Sequence, residues 1–234
     1  MTITVLFWCN MKYDNIVKGI FLERPNRFIA ICDIDGKEET CHVKNTGRCR
    51  ELLINGVTVF LEKSSNPKRK TQYDLIAVEK NGRLINMDSQ VVNKVAFEFL
   101  PTLFDDIEFI KPEYKYGKSR IDFYIETKNE KVLVEVKGVT LEEDGVVRFP
   151  DAPTERGVKH LKELQKAVVE GYKAYMMFVV QMSHVKYFEP NMKTHLQFAS
   201  ALKEASDNGV NVLAYDCCVT PESIKIRKEV PIKI

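Results

Sequence analysis

The sequence lacks the features that assign a chain to several specialised classes of protein. Its six cysteines form no C-x-x-C pair, which argues against a zinc site. Neither sign of charge dominates, because 35 lysines and arginines stand against 33 aspartates and glutamates, leaving a formal net charge of +2. No apolar run approaches the roughly 18 residues of a membrane span, and the apolar opening lacks the basic flank of a signal peptide. We therefore predict a reduced, soluble, cytoplasmic protein with no membrane partner.

Recognition motifs for common cofactors are also missing. The chain has no glycine-rich phosphate loop, no dinucleotide fingerprint and no nucleophile elbow, so no small-molecule cofactor is expected. What the chain does have is apolar sequence, 44% of 234 residues, which is enough for one large domain or two small ones. Because the opening residues are unusually apolar, the natural start is left open between Met1 and Met11.

Residues 11–88 have the pattern of a small β-barrel. Asn-Gly and Asp-Gly pairs tolerate the positive φ angles of tight turns, and such pairs occur at residues 35–36, 55–56 and 81–82. They separate short β-type runs at residues 16–22, 27–34, 57–61, 73–78 and 83–87. Five or six short strands with little helix predict an OB-like barrel.

Residues 89–234 show a different pattern, with longer helices between apolar strands. The spacing of apolar residues predicts helices at residues 91–100, 154–170 and 194–208. Apolar runs predict buried strands at residues 174–180 and 210–215. A strand, a crossover helix and a second strand imply a parallel pair. We therefore predict an α/β protein with an N-terminal all-β part, in which the OB-like barrel is followed by a mixed α/β sheet domain.

Residues 119–138 read SRIDFYIETKNEKVLVEVKG and predict a β-hairpin with a polar turn. Apolar residues alternate along both strands, as Ile121, Phe123 and Ile125 and as Val132, Val134 and Val136. If the two sets share one face of the hairpin, Ile125 pairs with Val132, since a slip by one residue would turn one set outward. The same register places Asp122 opposite Glu135.

Two opposed carboxylates favour a cation nearby. At about 5 Å and an effective dielectric constant of about 20, they repel by roughly 3 kcal/mol. Lys137 lies two residues beyond Glu135 on the same face and would offset part of this repulsion. Mg²⁺ or Mn²⁺ would offset it more completely, because these ions bind carboxylate oxygens together with water and phosphate. The alternative is an ordinary solvated hairpin face joined by salt bridges.

An Asp followed about a dozen residues later by Glu-x-Lys across a hairpin resembles the PD-(D/E)xK nuclease superfamily. The resemblance implies a restriction-endonuclease-like domain over residues 89–234. It implies that Asp122 and Glu135 bind the metal ion and that Lys137 is a catalytic residue that positions the attacking water. It also implies an additional acidic group, for which Glu98 on the preceding helix is the candidate. Ile121 stands where the superfamily name has Pro.

Several further strings, taken in order, resemble the sugar fermentation stimulation protein A family: RFIA at 27–30, NTGR at 45–48, NPKRKTQYDL at 66–75, YGKSRIDF at 116–123, EVKGVTL at 135–141 and FPDAPTERGVKHL at 149–161. The resemblance implies a cytosolic DNA-binding protein associated with the regulation of sugar (maltose) metabolism. It leaves open whether the protein only binds DNA or is an active Mg²⁺- or Mn²⁺-dependent nuclease. The oligomeric state is also left open, with a homodimer among the alternatives.

Basic residues of the first domain are candidates for contact with DNA, because residues 44–70 hold seven lysines or arginines and two glutamates. The predicted nucleic-acid-binding residues are Lys44, Asn45, Arg48, Arg50, Lys68, Arg69, Lys70 and, at a helix start in the second domain, Arg156. Contacts to phosphates predict binding that is largely independent of sequence and weakens steeply with salt. The alternative is a set of solvated loops.

Three other residues have weaker signals. Tyr73 is a candidate stacking surface for a base, and Thr46 is a candidate hydrogen-bond donor to phosphate. His160 is interpreted as a core or surface histidine rather than a metal ligand, because no second histidine lies at metal-binding spacing.

Overall fold

The computed structural model describes residues 11–45 and 47–234. The question of the natural start and the donor predicted at Thr46 involve residues outside this description. The first described strand, β1 (Met11–Lys12), lies in the sheet of the second unit. Six strands form the first unit: β2 (Ile16–Asn26), β3 (Ile29–Ile34), β4 (Lys37–Val43), β5 (Thr58–Lys63), β6 (Tyr73–Lys80) and β7 (Arg83–Asn86).

The first unit is a closed barrel. Its strands are hydrogen-bonded in the order β4-β3-β2-β5-β6-β7, and β4 also pairs in parallel with β6. Five strands thereby close on themselves, which confirms the OB-like prediction. The turns at residues 35–36 and 81–82 have φ values between 52° and 78°, as tight hairpin turns require. The apolar pattern does not predict β4 (KEETCHV), since only Cys41 and Val43 are buried in it.

The second unit contains three α-helices, one short 3₁₀ helix (Leu100–Thr102) and the remaining strands. In chain order they are α1 (Val92–Phe99), β8 (Ile107–Tyr116), β9 (Ser119–Thr127), β10 (Lys131–Val139), β11 (Leu141–Glu143), β12 (Val146–Phe149), α2 (Glu155–Val169), β13 (Lys173–Val180), β14 (Tyr187–Pro190), α3 (Met192–Asp207), β15 (Asn211–Thr220) and β16 (Ser223–Glu229). The predicted helices and buried strands are all present, with ends that differ by a few residues. The short sheet β11-β12-β14 and strand β16 were not predicted.

A seven-stranded mixed sheet with the order β1-β16-β15-β13-β10-β9-β8 is the frame of this unit. β10, β13 and β15 are parallel, as the crossover helices predict, and the other pairs are antiparallel. Helices cover both faces. Val134 and Met177 pack on one face with α1, whereas Leu133 and Met176 pack on the other with α2 and α3. The mixed α/β prediction is confirmed.

One boundary needs correction. The barrel was predicted to begin at residue 11, but Met11 pairs with Ile224 of β16 and Lys12 pairs with Ser223. The described chain therefore starts in the second unit's sheet and enters the barrel at β2. The physical reason is that the outer edge of β16 offers unpaired backbone groups, which β1 satisfies.

Direct hydrogen bonds join the two units. The side chain of Gln181 donates to Asn86 Oδ1 at 2.9 Å and to the Asp88 carbonyl at 3.0 Å. The backbone N–H of Arg48 donates to Asp151 Oδ2 at 2.9 Å. These contacts fix the barrel against the carboxyl ends of β10 and β13. Among the described residues, no helix combines the length and apolar character that crossing a membrane requires.

Candidate functional site

The hairpin of β9 and β10 has the predicted register. Ile125 pairs with Val132 and Phe123 with Val134, after which the regular ladder ends. At the next position the Asp122 carboxylate itself accepts a hydrogen bond from the backbone N–H of Val136, at 2.8 Å. Asp122 thus replaces a ladder contact with a side-chain contact.

The predicted alternation fails at one residue. Ile121 packs in the core that contains Leu133, not in the core that contains Phe123. The neighbouring strand β8 is irregular at the same level, because Glu113 has a φ of 53°. A strict two-residue period does not predict such local irregularities of a strand.

Glu135 is the most buried charged group of the hairpin, with 1% of its surface exposed. Its Oε1 accepts hydrogen bonds from Lys137 Nζ and His160 Nδ1. Burial raises the pKa of Glu135, but the hydrogen bond from His160 and the charge of Lys137 outweigh this, so the pKa lies below its usual value. Its Oε2 is buried and has no hydrogen-bond partner among the described residues.

The pKa of Asp122 is shifted in the opposite direction from that of Glu135. Its Oδ1 accepts a hydrogen bond from Asn93 Nδ2 of α1 at 2.8 Å. Burial and the negative charge of Glu135 raise the pKa of Asp122 above its usual value. The two carboxylates therefore interact as the register predicted, with Glu135 the more readily ionised. Asn93 was not predicted, and its polar side chain near the start of a mostly apolar helix is the signal that identifies it.

Helix α2 brings His160 to the hairpin. The Thr154 hydroxyl accepts a hydrogen bond from the Gly157 N–H at 3.0 Å and begins the helix. One turn later His160 is 3% exposed and donates to Glu135, while Arg156 Nε donates to His160 Nε2 at 3.4 Å. His160 is thus a buried, hydrogen-bonded histidine, but its partner is the central carboxylate of the site. Only the tertiary contact of α2 with β10 reveals this role.

Glu98 does not lie with the other predicted site residues. Its Oε2 accepts a hydrogen bond from the backbone N–H of Met11 at 3.2 Å. Met11 lies on edge strand β1, which β16, β15 and β13 separate from β10. At about 4.8 Å per strand spacing, this edge is roughly 19 Å from the hairpin. Of the residues of α1, Asn93 contacts Asp122 whereas Glu98 contacts the edge strand, and a role of Glu98 at the site stays a prediction.

Two of the predicted DNA-binding cations are already paired within the barrel. Lys44 Nζ lies 3.1 Å from Asp74 Oδ2 and 3.5 Å from Asp88 Oδ2. Arg69 donates to both oxygens of Asp74, at 3.1 and 2.6 Å. Burial lowers the pKa of Lys44, but the charges of Asp88 and Asp74 outweigh it and hold the pKa above its usual value. These cations neutralise buried carboxylates instead of facing an external phosphate.

The other predicted residues differ in exposure. Arg48, Arg50, Lys68, Lys70 and Arg156 are exposed. Asn45 is 8% exposed, and its Oδ1 accepts from the Gly47 N–H at 2.8 Å, so it shapes the loop. Tyr73 is half-buried against the barrel core. The exposed cations therefore remain candidates for phosphate contact.

Arg24 joins two exposed loops of the barrel. Its guanidinium donates to the Arg27 carbonyl at 2.8 Å and to the carbonyls of Asn45, Gly47 and Arg48 at 2.7 to 3.0 Å. The loop at Arg27 also holds Phe28, which is 50% exposed. Phe28 was not predicted, although an aromatic residue next to arginine at a predicted strand start could have marked it.

A pocket of about 170 Å³ lies where the barrel meets the carboxyl end of β10. Barrel residues Asn45 and Gly47 line one side, and Gly138, Thr140 and Asp151 line the other. Crevices at the carboxyl ends of parallel strands are common ligand sites in α/β sheets. The pocket therefore connects the Arg24 loops with the strand that carries Glu135 and Lys137.

Within residues 11–45 and 47–234, no group of three or more acidic, histidine or cysteine side chains is arranged to hold a metal ion. The hairpin offers two carboxylates, one with a buried oxygen that lacks a partner. This donor set fits Mg²⁺ or Mn²⁺, which commonly bind through one or two carboxylates with water and phosphate.

The chain is similar to proteins of one known family. The family model for the sugar fermentation stimulation protein RE domain matches residues 87–223, and the SfsA N-terminal OB domain matches residues 22–87. A sugar fermentation stimulation protein homolog of Clostridium beijerinckii is 60% identical over 224 residues, covering 95% of this chain and 99% of the relative. A homolog of Desulfitobacterium hafniense is 60% identical over 225 residues, covering 96% and 99%. A solved structure of SfsA from Pyrococcus furiosus in complex with Ca²⁺ matches with a TM-score of 0.85 and 31% identity, covering 97% of this chain and 100% of that one.

Proposed function

The chain belongs to the sugar fermentation stimulation protein family, and from this premise we propose that it is a DNA-binding protein. The observation that supports the proposal most strongly is the group of exposed residues held together by Arg24. Arg27, Phe28 and Arg48 lie on the two loops that Arg24 joins. The Arg48 backbone also contacts Asp151 of the second unit, so the group borders the pocket between the units.

This group offers two kinds of contact to DNA, namely charge contacts to phosphates and stacking on bases. Exposed guanidinium groups bind phosphates without reading the bases, which gives affinity largely independent of sequence. An exposed aromatic ring stacks on any base of an unpaired strand, by about 1–3 kcal/mol per base. We therefore propose that Phe28, rather than the half-buried Tyr73, supplies the stacking surface.

Fluorescence anisotropy with labelled single- and double-stranded DNA tests this proposal. The variant Arg48→Ala/Arg50→Ala should lower affinity at about 50 mM salt and reduce the slope of log affinity against log salt by about 1.4–1.8. The control Lys128→Ala/Lys131→Ala removes two exposed cations near the hairpin turn, at the other end of β10. Equal slopes for wild type and the Arg48/Arg50 variant would contradict the proposal.

A second candidate function is metal-dependent hydrolysis of phosphodiester bonds. The specific observation in its favour is the buried Oε2 of Glu135, which has no partner among the described residues and lies on a residue whose negative charge raises the pKa of Asp122. Leaving a carboxylate oxygen buried and unpaired is costly, so a site that keeps one is well suited to a cation.

In this second function Asp122 and Glu135 would hold Mg²⁺ or Mn²⁺. A divalent ion at such a site neutralises charge on the phosphate and lowers the pKa of a bound water. Lys137 lies 17% exposed at the mouth of the site with its ammonium on Glu135. From there it orients a water molecule or a phosphate oxygen by hydrogen bonding. Asn93 holds the Asp122 carboxylate from the α1 side.

Incubation of DNA and RNA with Mg²⁺, Mn²⁺ or chelator separates the two functions. Cleavage by the wild-type protein that falls at least about 100-fold in Glu135→Gln and in Lys137→Ala supports hydrolysis at this site. Cleavage that survives both substitutions indicates a contaminant and contradicts it. Binding without cleavage in either metal favours the regulator of sugar (maltose) use that acts through DNA binding alone.

A further inference from the structure

We propose that His160 is a positioning residue, which holds Oε1 of Glu135 so that Oε2 stays available to a divalent cation. The inference rests on the second candidate function, in which the hairpin binds that cation. It concerns a residue that touches Glu135 but not the cation itself. The carboxylate and its two neighbours, His160 and Lys137, are all mostly buried.

The two oxygens of Glu135 have different surroundings. Both donors, Lys137 Nζ and His160 Nδ1, are hydrogen-bonded to Oε1. Rotation of the carboxylate would break both hydrogen bonds in a site from which water is nearly excluded, since Glu135 is 1% exposed. Oε2 is therefore kept in one place without a partner among the described residues. A fixed, unpaired oxygen is what a metal ligand requires.

Arg156 determines which nitrogen of His160 carries the proton. A guanidinium can donate but not accept, so the contact of Arg156 Nε with His160 Nε2 at 3.4 Å makes Nε2 an acceptor. An ionised carboxylate can only accept, so the hydrogen of the contact with Glu135 lies on Nδ1 of His160. Arg156 thus keeps the imidazole in the tautomer that can hold the carboxylate.

Close packing at the start of α2 restricts the position of the His160 imidazole. Thr154 caps the helix, and Gly157 lies so close to α3 that an added Cβ would be 3.1 Å from the Phe198 ring. His160 lies in the second turn of this helix and is 3% exposed. A histidine that only filled space could be replaced by any residue of similar volume, whereas a positioning histidine needs its donor at Nδ1.

Substitution of His160 by Asn and by Gln separates these two roles. The side-chain amide of Asn lies near the position of Nδ1, and that of Gln lies near the position of Nε2. Binding of Mn²⁺, followed by the electron paramagnetic resonance signal of the free ion in the absence of nucleic acid, is the measurement. We expect His160→Gln to weaken Mn²⁺ binding by about 10-fold or more, and His160→Asn to stay within about 3-fold of wild type.

The design includes controls for folding and for the site itself. Circular dichroism and urea unfolding without metal show which variants are folded, and His160→Ala provides a third variant that lacks any donor. Equal Mn²⁺ affinity in wild type, His160→Gln and His160→Ala, or equal losses in the Asn and Gln variants, would overturn the positioning role while leaving the cation site in place. Absence of Mn²⁺ binding by the wild-type protein would overturn the cation site and the positioning role together.

Discussion

Asp74 in the barrel and Glu135 in the hairpin are both buried carboxylates, with 5% and 1% of their surfaces exposed. Both oxygens of Asp74 are paired, because Arg69 binds both and Lys44 adds a second contact to one. Only one oxygen of Glu135 is paired, although its neighbours also supply two donors. The same chemical group is thus fully paired at Asp74 and only half paired at Glu135.

The difference separates charge that stabilises a fold from charge that is available to a ligand. Lys44 and Arg69 have the residue type of DNA contacts, but Asp74 takes up their hydrogen bonds. Glu135 keeps an oxygen free while two donors hold the other in place. A cluster of charges therefore indicates function only when some of its hydrogen-bonding capacity is unused.

The largest expected effect on stability is that of removing the paired carboxylate. Asp74→Asn leaves Arg69 without its counter-charge and removes one of the carboxylates around Lys44, and we expect the free energy of unfolding to fall by about 2–3 kcal/mol. This is less than for a fully buried pair, because Arg69 is 32% exposed. Glu135→Gln should change it by no more than about 1 kcal/mol, since the amide oxygen still accepts from both neighbours. Urea unfolding of both variants measures the difference, and a larger loss in Glu135→Gln would reverse the comparison.

Lys44→Gln should have the next largest effect, and on stability alone. Three carboxylates, Asp74, Asp88 and Glu62, lie within 3.8 Å of the ammonium, so its loss should lower the free energy of unfolding by about 1–2 kcal/mol. The salt slope of DNA binding should stay at the wild-type value, because the charge of Lys44 is already offset by these carboxylates. A slope reduced by about 0.7–0.9 would show instead that Lys44 contacts DNA.

Thr154→Ala tests the helix start that positions His160. Loss of the hydroxyl that caps the Gly157 N–H should cost about 1 kcal/mol of unfolding free energy. Thr154→Ser keeps the hydroxyl and should restore most of that loss. An unchanged midpoint of urea unfolding in the Ala variant would mean that the cap does not stabilise α2.

Acidification should have the smallest effect on stability, and this effect reports on the ionisation of Asp74. Burial raises the pKa of Asp74, but hydrogen bonds from Arg69 and Lys44 outweigh it, so the folded-state pKa lies below the usual value. Such a group stabilises the protein above its unfolded pKa of about 3.9, and this contribution is lost as the pH falls through the folded pKa. The stability advantage of wild type over Asp74→Asn should shrink as the pH falls below about pH 4. An advantage that grows on acidification would contradict this assignment.

Local sequence patterns predict the hairpin because its register depends on a two-residue period, and Ile125 does pair with Val132. They do not predict the partners of Lys44, because Asp74 and Asp88 approach it only when the barrel closes. Glu98 was assigned to the site because a helix face cannot be related to a sheet edge before the packing is known. His160 was set aside for the same reason, since its contact with Glu135 requires α2 to lie on β10.

The most direct test of the central claim is a Mn²⁺ titration of wild type, Glu135→Gln and Asp74→Asn, each shown by circular dichroism to be folded. Glu135, with one unpaired oxygen, should bind the ion, whereas Asp74, with both oxygens paired, should not. We therefore predict that wild type and Asp74→Asn bind Mn²⁺ with similar affinity, whereas Glu135→Gln loses binding by about 100-fold or more. Mn²⁺ binding by Glu135→Gln that equals wild type would contradict the account.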